Sequence, residues 1–170
     1  MPFYSQSINL TISCFQHFFN RVLEEEGQLP PYCFLQMDNA AKDNKNAFMF
    51  AYLSLLVEMN WFEEVYVHFL PPGHTHSNLD QKYSVISQGL KNMEVYTLDH
   101  LMGIVGNLFK RMGPYTRQDV VTSIGDFSAV LLDNVYKLFG HGTSTVKGVN
   151  RRLHAFKITK GPNGRVGKNT

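Results

Sequence analysis

The sequence predicts an α/β fold, and three observations predict it. Two short apolar runs, Tyr32–Met37 and Val65–Leu70, have strand length and are rich in aromatic and β-branched residues. A long apolar stretch with helical character, from Ala47 to Asn60, lies between them. Helical patterns also precede the first run and follow the second, and such alternation is the mark of parallel strands joined by crossover helices.

The first helix is expected over Ser5–Glu26. Leu10, Cys14 or Phe15, Phe18 and Val22 recur at three- and four-residue steps and form one apolar face. Glu24-Glu25-Glu26-Gly27 and then Pro30-Pro31 stop it. The run Tyr32–Met37 lacks polar alternation, which predicts burial on both faces. Asp38–Asn46 is a polar loop, with Asn44 or Asn46 available to cap the next helix. That helix, Ala47–Asn60, is apolar nearly all round and should lie deep in the domain. Pro71-Pro72-Gly73 closes the second strand, and a helix is expected from about Ser77 to Leu90. Leu98–Met112 is amphipathic, with Asp99 in its first turn and Lys110-Arg111 in its last, as the helix dipole favours. Thr122–Phe139 suggests one more helix, with Ser123 as a possible cap. Two strands make a poor sheet, so weaker strands are expected either near the C-terminus or upstream of Met1.

Composition narrows the class. The chain has 170 residues, 44% hydrophobic and 18% charged, which suits a globular core. No apolar run reaches the length of a membrane span, and the N-terminus lacks a basic region ahead of an apolar one, so no membrane partner and no secretion are expected. Two cysteines, Cys14 and Cys33, point to a reducing, intracellular compartment, both expected as buried thiols. Net charge is +2 but unevenly spread. From Thr145 onward there are seven basic residues and no acidic one, against nine basic and fourteen acidic before it. A basic end is compatible with a polyanion, and its Gly161-Pro162-Asn163-Gly164 is equally compatible with a partly disordered tail. The expected organisation is a core over 1–93, a helical extension over 94–144 and a basic, partly disordered tail over 145–170.

Function is most legible where the strands end. Asp38-Asn39 follows the first strand, where a ligand crevice commonly opens beyond the carboxyl ends of parallel strands. Asp80-Gln81 begins the helix that follows the second. Two converging carboxylates are the minimum set for a divalent metal in phosphoryl transfer. Each also has a structural role open to it: a turn for Asp38, and a helix N-terminal acid for Asp80. Asp43-Asn44-Lys45-Asn46 offers Lys45 to a phosphate or an acid, and its asparagines to helix capping. Gly73-His74-Thr75-His76 places two imidazoles within reach of one ion. His68 and His141 have no partner at ligand spacing.

Read together, Leu35-Gln36-Met37-Asp38-Asn39 with Asn44-Lys45-Asn46, and Phe69-Leu70 with Gly73-His74-Thr75-His76 and Asp80-Gln81, then Ser84 and Ile86-Ser87, resemble a family of transposon-derived, integrase-like domains of the ribonuclease H-like class. Ser7-Ile8-Asn9-Leu10-Thr11-Ile12 resembles the segment that leads into that family's preceding helix, and Asp43 stands where the family usually has Glu. The likeness spans about residues 5 to 90. It implies the C-terminal part of a ribonuclease H-like fold, truncated at the N-terminus and carrying extra C-terminal helices. It further implies that Asp38 and Asp80 are the second and third acids of a triad binding Mg²⁺ or Mn²⁺. His74 and His76 would be supports or extra ligands. Lys45, with Lys147, Arg151 and Arg152, would contact DNA phosphates, and the location would be nuclear. The first acid has no counterpart in the chain, so metal-dependent phosphodiester cleavage or strand transfer is expected as ancestry, with the chain alone inactive. A non-catalytic, domesticated nucleic-acid-binding or interaction module is the alternative. Gly73-His74-Thr75-His76 also resembles the last metal block of calcineurin-like metallophosphoesterases, but the blocks that precede it in that family do not occur in residues 1–72.

Overall fold

A computed structural model describes residues 7–37, 45–70, 78–110, 118–139, 154–161 and 166–169. The protein folds as two compact units, one of residues 1–71 with 121–170 and one of residues 72–120.

The larger unit is built on a four-stranded mixed sheet in the order β1-β2-β3-β4. β1 (Tyr32–Met37) and β2 (Glu64–Phe69) are parallel, with Tyr32 opposite Glu64 and Met37 opposite Phe69. β3 (Ala155–Lys160) runs antiparallel to β2, and β4 (Val166–Asn169) antiparallel to β3. The missing strands of the expected sheet thus come from the C-terminal segment. Residues 155–160 of the expected tail are a paired strand, hidden in the sequence because Ala155-Phe156-Lys157-Ile158-Thr159-Lys160 is short and lies among glycines and lysines.

The helices form where local chemistry allows them to start and stop. α1 (Ile8–Glu26) begins at Ser7, whose side chain accepts from the Leu10 amide, and ends at Gly27 in the left-handed region at φ 73°. That conformation is easily reached without a Cβ. Its buried side is Ile12, Ser13 and Phe19, with Ile8 and Phe15 packed beside them. Of the expected face, Phe15 packs against the core and Leu10 and Val22 are half-buried, whereas Phe18, 57% exposed, and Cys14, expected as a buried thiol, are turned outward. Both faces of α1 have helical apolar spacing; packing against the helices Ala47–Glu58 and Phe127–Val130 decides between them. α2 (Ala47–Glu58) is capped by Asn46, which accepts from the Met49 amide at 3.0 Å. It is buried at nine of its twelve positions, as its all-round apolarity predicts. Asn60, at φ 60°, turns the chain out of it, and the Trp61 amide reaches back to the Leu56 carbonyl.

The expected helix over Thr122–Phe139 starts later and is interrupted. α5 (Phe127–Val130) is capped by Asp126 rather than Ser123, and α6 (Leu132–Phe139) follows after Leu131. Asn9 ties this segment to α1: its Oδ1 accepts from the Ser128 amide at 2.8 Å, and its Nδ2 reaches Asp126 and Ser128 at 3.2 Å.

Side chains alternate strictly across the sheet. Cys33, Leu35 and Met37 on β1 line up with Val65, Val67 and Phe69 on β2, and with Phe156 and Ile158 on β3. This face joins α1, α2 and α6 in the core. The opposite face carries Tyr32, Phe34 and Gln36, and these are exposed, Phe34 at 71%. Burial of β1 on both faces is therefore incorrect. The run simulates a two-sided strand because two of its three exposed positions, Tyr32 and Phe34, are aromatic.

The smaller unit holds α3 (Asn78–Leu90) and α4 (Leu98–Lys110). They pack on each other closely enough that a Cβ on Gly89 would lie 2.6 Å from a methyl of Leu108. Gln118 donates to the Met102 carbonyl at 3.1 Å. No residue of α4 is fully buried. Among the described residues, no helix is long and apolar enough to cross a membrane.

Candidate functional site

The parallel pairing of β1 and β2 brings two chain exits to one edge of the sheet. Met37 and Phe69 are opposite each other, and the Leu70 amide donates to the Met37 carbonyl at 3.0 Å. Each strand therefore ends beside the other, immediately before one of the motifs. Asp38 is covalently next to Met37, and Gly73-His74-Thr75-His76 begins three residues beyond Leu70. Asp38, His74 and His76 lie outside the described residues, as do Lys147, Arg151, Arg152 and His141.

What is described at this edge is an aromatic floor with nitrogen-bearing side chains near it. Phe50 of α2, Phe69 of β2 and Phe156 of β3 meet with ring centroids 5.0 to 6.2 Å apart. Lys45 Nζ stands 5.0 Å from the centroid of Phe69 and 6.0 Å from that of Phe156. Burial against these rings pushes the ammonium below the ordinary lysine value, while their π faces offset part of that cost. Asn46, next in sequence, is committed to capping α2, so the capping role expected for Asn44 or Asn46 falls to Asn46. Lys45 stands at the approach to α2.

His154 is a residue that sequence reasoning missed. Its carbonyl accepts from the Phe69 amide at 2.7 Å, which fixes it at the same end of β2. Its Nδ1 is buried and has no hydrogen-bond partner. A lone histidine in a basic, Gly-rich segment gives no spacing signal, and only the pairing of β3 with β2 brings it here.

Asp80 lies in the first turn of α3, in the smaller unit, and its residue is exposed. That position suits an acid through the helix dipole alone. His68 faces the exposed side of the sheet, away from the core. Among the described residues, no group of three His, Cys, Asp or Glu side chains is placed to hold a metal ion. The two cysteines are free: Cys33 is buried under the sheet, and burial pushes its thiol up to about 11.

No curated protein and no solved structure matches the chain. The profile of DUF7869, a domain of unknown function, matches residues 1–169, nearly the whole sequence. The chain therefore belongs to the DUF7869 family.

Proposed function

We propose that the chain is a transposase- or integrase-like domain of ribonuclease H-like descent, whose ancestral chemistry is metal-dependent cleavage or strand transfer at a DNA phosphodiester. The observation that supports it is the parallel β1–β2 pair, whose carboxyl ends lie side by side just before Asp38 and just before the 73–80 motif. A crevice beyond the carboxyl ends of parallel strands is where such folds place ligands.

In this assignment Asp38 and Asp80 hold Mg²⁺ or Mn²⁺, and two aspartates supply the hard oxygen donors such ions take. His74 and His76 are supports or further ligands. The buried, unpartnered Nδ1 of His154 adds a nitrogen at the same strand end. Lys45, held over Phe69, presents its charge to a phosphate oxygen, and Lys147, Arg151 and Arg152 contact the backbone further along. A bound metal would supply charge stabilisation at the phosphoryl oxygens. The motifs supply two carboxylates, whereas a two-ion displacement needs a ligand shared by both ions. The chain by itself is therefore expected to bind DNA without cutting it, and to do so in the nucleus.

A second assignment, a non-catalytic nucleic-acid-binding module, rests on the seven basic residues and no acidic one from Thr145 onward. Plasmid nicking with Mg²⁺ or Mn²⁺, combined with DNA binding over a salt series, tests both. Binding that weakens steeply with salt, without nicking, is the expected result. Failure to bind DNA at low salt contradicts both assignments. Mg²⁺-dependent nicking that Asp38→Ala and Asp80→Ala each abolish contradicts the predicted inactivity.

A further inference from the structure

The two edges of the sheet differ in how far they invite another strand. β4, at one edge, is only four residues long, and short edge strands resist further pairing. β1, at the other edge, has no such protection. Tyr32-Cys33-Phe34-Leu35-Gln36-Met37 contains no charge and no proline, and its register with β2 runs residue for residue without a bulge. The Pro31 carbonyl accepts from the Glu63 and Glu64 amides, and the Met37 carbonyl from that of Leu70. Backbone groups alternate in direction along a strand, so Cys33 and Leu35 also turn theirs toward β2. The amides and carbonyls of Tyr32, Phe34 and Gln36 therefore point outward, and among the described residues no strand pairs with them.

We propose that β1 pairs with β1 of a second copy of this chain, antiparallel about a two-fold axis at Phe34, so that one sheet runs through both copies. A two-fold interface must fit itself, and β1 does so. In the register centred on Phe34, every outward-turned residue meets another. Tyr32 faces Gln36 of the second copy and Phe34 faces its own counterpart, each pair exchanging both backbone bonds. The strand is uncharged, so setting it against itself brings no like charges together. The nearest charges on that face, Glu64 and Lys157, are already paired with each other at 2.7 Å. The three outward-turned residues also share the open face, where Phe34 stacks on Tyr66 with centroids 4.8 Å apart and planes 11° apart. The second copy brings its Phe34 to the free side of that stack, and cross-strand aromatic pairs of this kind stabilise a sheet. Phe34 and Tyr32, both exposed in the single chain, gain cover in the pair. The pairing uses neither Asp38, Asp80 nor a metal, so it stands or falls independently of the catalytic ancestry.

The test is analytical ultracentrifugation of the full chain over a series reaching about 100 μM, because pairing of copies follows mass action. Wild-type chain is expected to pass from monomer to dimer. Phe34→Lys sets like charges opposite each other at the axis and is expected to weaken the dimer about tenfold or more. Phe34→Glu should do the same, and an equimolar mixture of the two variants should recover the dimer. Phe34→Pro removes an amide that the chain's own sheet does not use, and is expected to prevent pairing while the chain stays folded. Position 34 is largely exposed, and circular dichroism melts confirm that the variants are folded. Three results overturn the proposal. They are a wild-type chain that stays monomeric, which leaves the edge to a strand of another protein, Phe34→Lys dimerising as well as wild type, and a mixture of the Lys and Glu variants that recovers no dimer.

Discussion

On one face of the sheet, Val65, Val67, Phe69, Phe156 and Ile158 are almost wholly buried against α2 and its neighbours. On the other face, the same strands present Tyr32, Phe34, Glu64, Tyr66 and Lys157, a set of aromatic rings and one ion pair. The backbone is shared, so the difference lies in side chains at alternate positions. The closed face carries stability. The open face keeps large apolar rings in water, which a domain selected only for stability has no reason to do. Substitutions should therefore act in opposite ways on the two faces, and each prediction below can break that contrast.

The largest effect belongs to the closed face. Phe156→Ala removes a ring in contact with both Phe50 and Phe69, and is expected to destabilise by about 3–5 kcal/mol. Urea denaturation reads this as a lower midpoint with an unchanged slope. A loss under about 1 kcal/mol would mean that the aromatic floor is not packed as described.

Asn46→Ala comes next. It leaves the first-turn amide of Met49 without its acceptor, at a cost of about 1 kcal/mol. Asn46→Asp should recover most of it, and equal stability of the alanine variant and wild type would remove the cap from the account.

The ion pair on the open face has a smaller, pH-dependent effect. Hydrogen bonds from Lys157 first and from Tyr66 second hold the Glu64 carboxyl below its ordinary value of 4.5, and the same Glu64 contact raises Lys157 above its ordinary 10.5. A carboxylate with a lowered folded-state value stabilises above its unfolded value, and that contribution is lost as pH falls through the folded one. The raised lysine contributes below 10.5 and loses its share as pH rises through its folded value. Melting temperatures of wild type and Glu64→Gln should thus differ slightly at neutral pH and converge in acid below 4.5. A gap that widens in acid would reverse the sign and refute the pairing. The pair is solvent-accessible and screened, so the gap should also shrink with salt.

The smallest effect on stability is that of Phe34→Ala, expected within about 0.5 kcal/mol of wild type for an exposed ring. A loss comparable to that of Phe156→Ala would erase the distinction between the faces.

The thiols extend the contrast to reactivity. Cys14 should react with a thiol reagent in the folded protein, while Cys33, buried and with its thiol pushed up to about 11, should react only on unfolding.

Much of this arrangement was legible in the residues. The two central strands, the α2 crossover, its Asn46 cap and the helices after β2 follow from apolar runs and their punctuation, because those signals are local. β3 and β4 were not legible, since neither has a long apolar run and both take their strand character from pairing with β2 and with each other. The buried side of α1 was only partly legible, Phe15 but not Cys14 or Phe18 belonging to it, because two helical stripes compete and only α2 and α5 choose between them. The exposure of Phe34 was hidden by a run of apolar residues that gives no alternation to read. At the candidate site, the motifs single out Asp38, Lys45 and the 73–80 segment only as candidates, whereas His154 arrives through long-range strand pairing that no spacing rule reports.

The central proposal, drawn from the sequence motifs, is that Asp38 and Asp80 bind one divalent metal ion. Isothermal titration of Mn²⁺ into wild-type chain, Asp38→Asn and Asp80→Asn tests it most directly, because binding is read without any need for catalysis. The account predicts one saturable event in wild type that is lost or strongly weakened in each variant. Wild-type chain that takes up no Mn²⁺, or variants that bind it as well as wild type does, would contradict it.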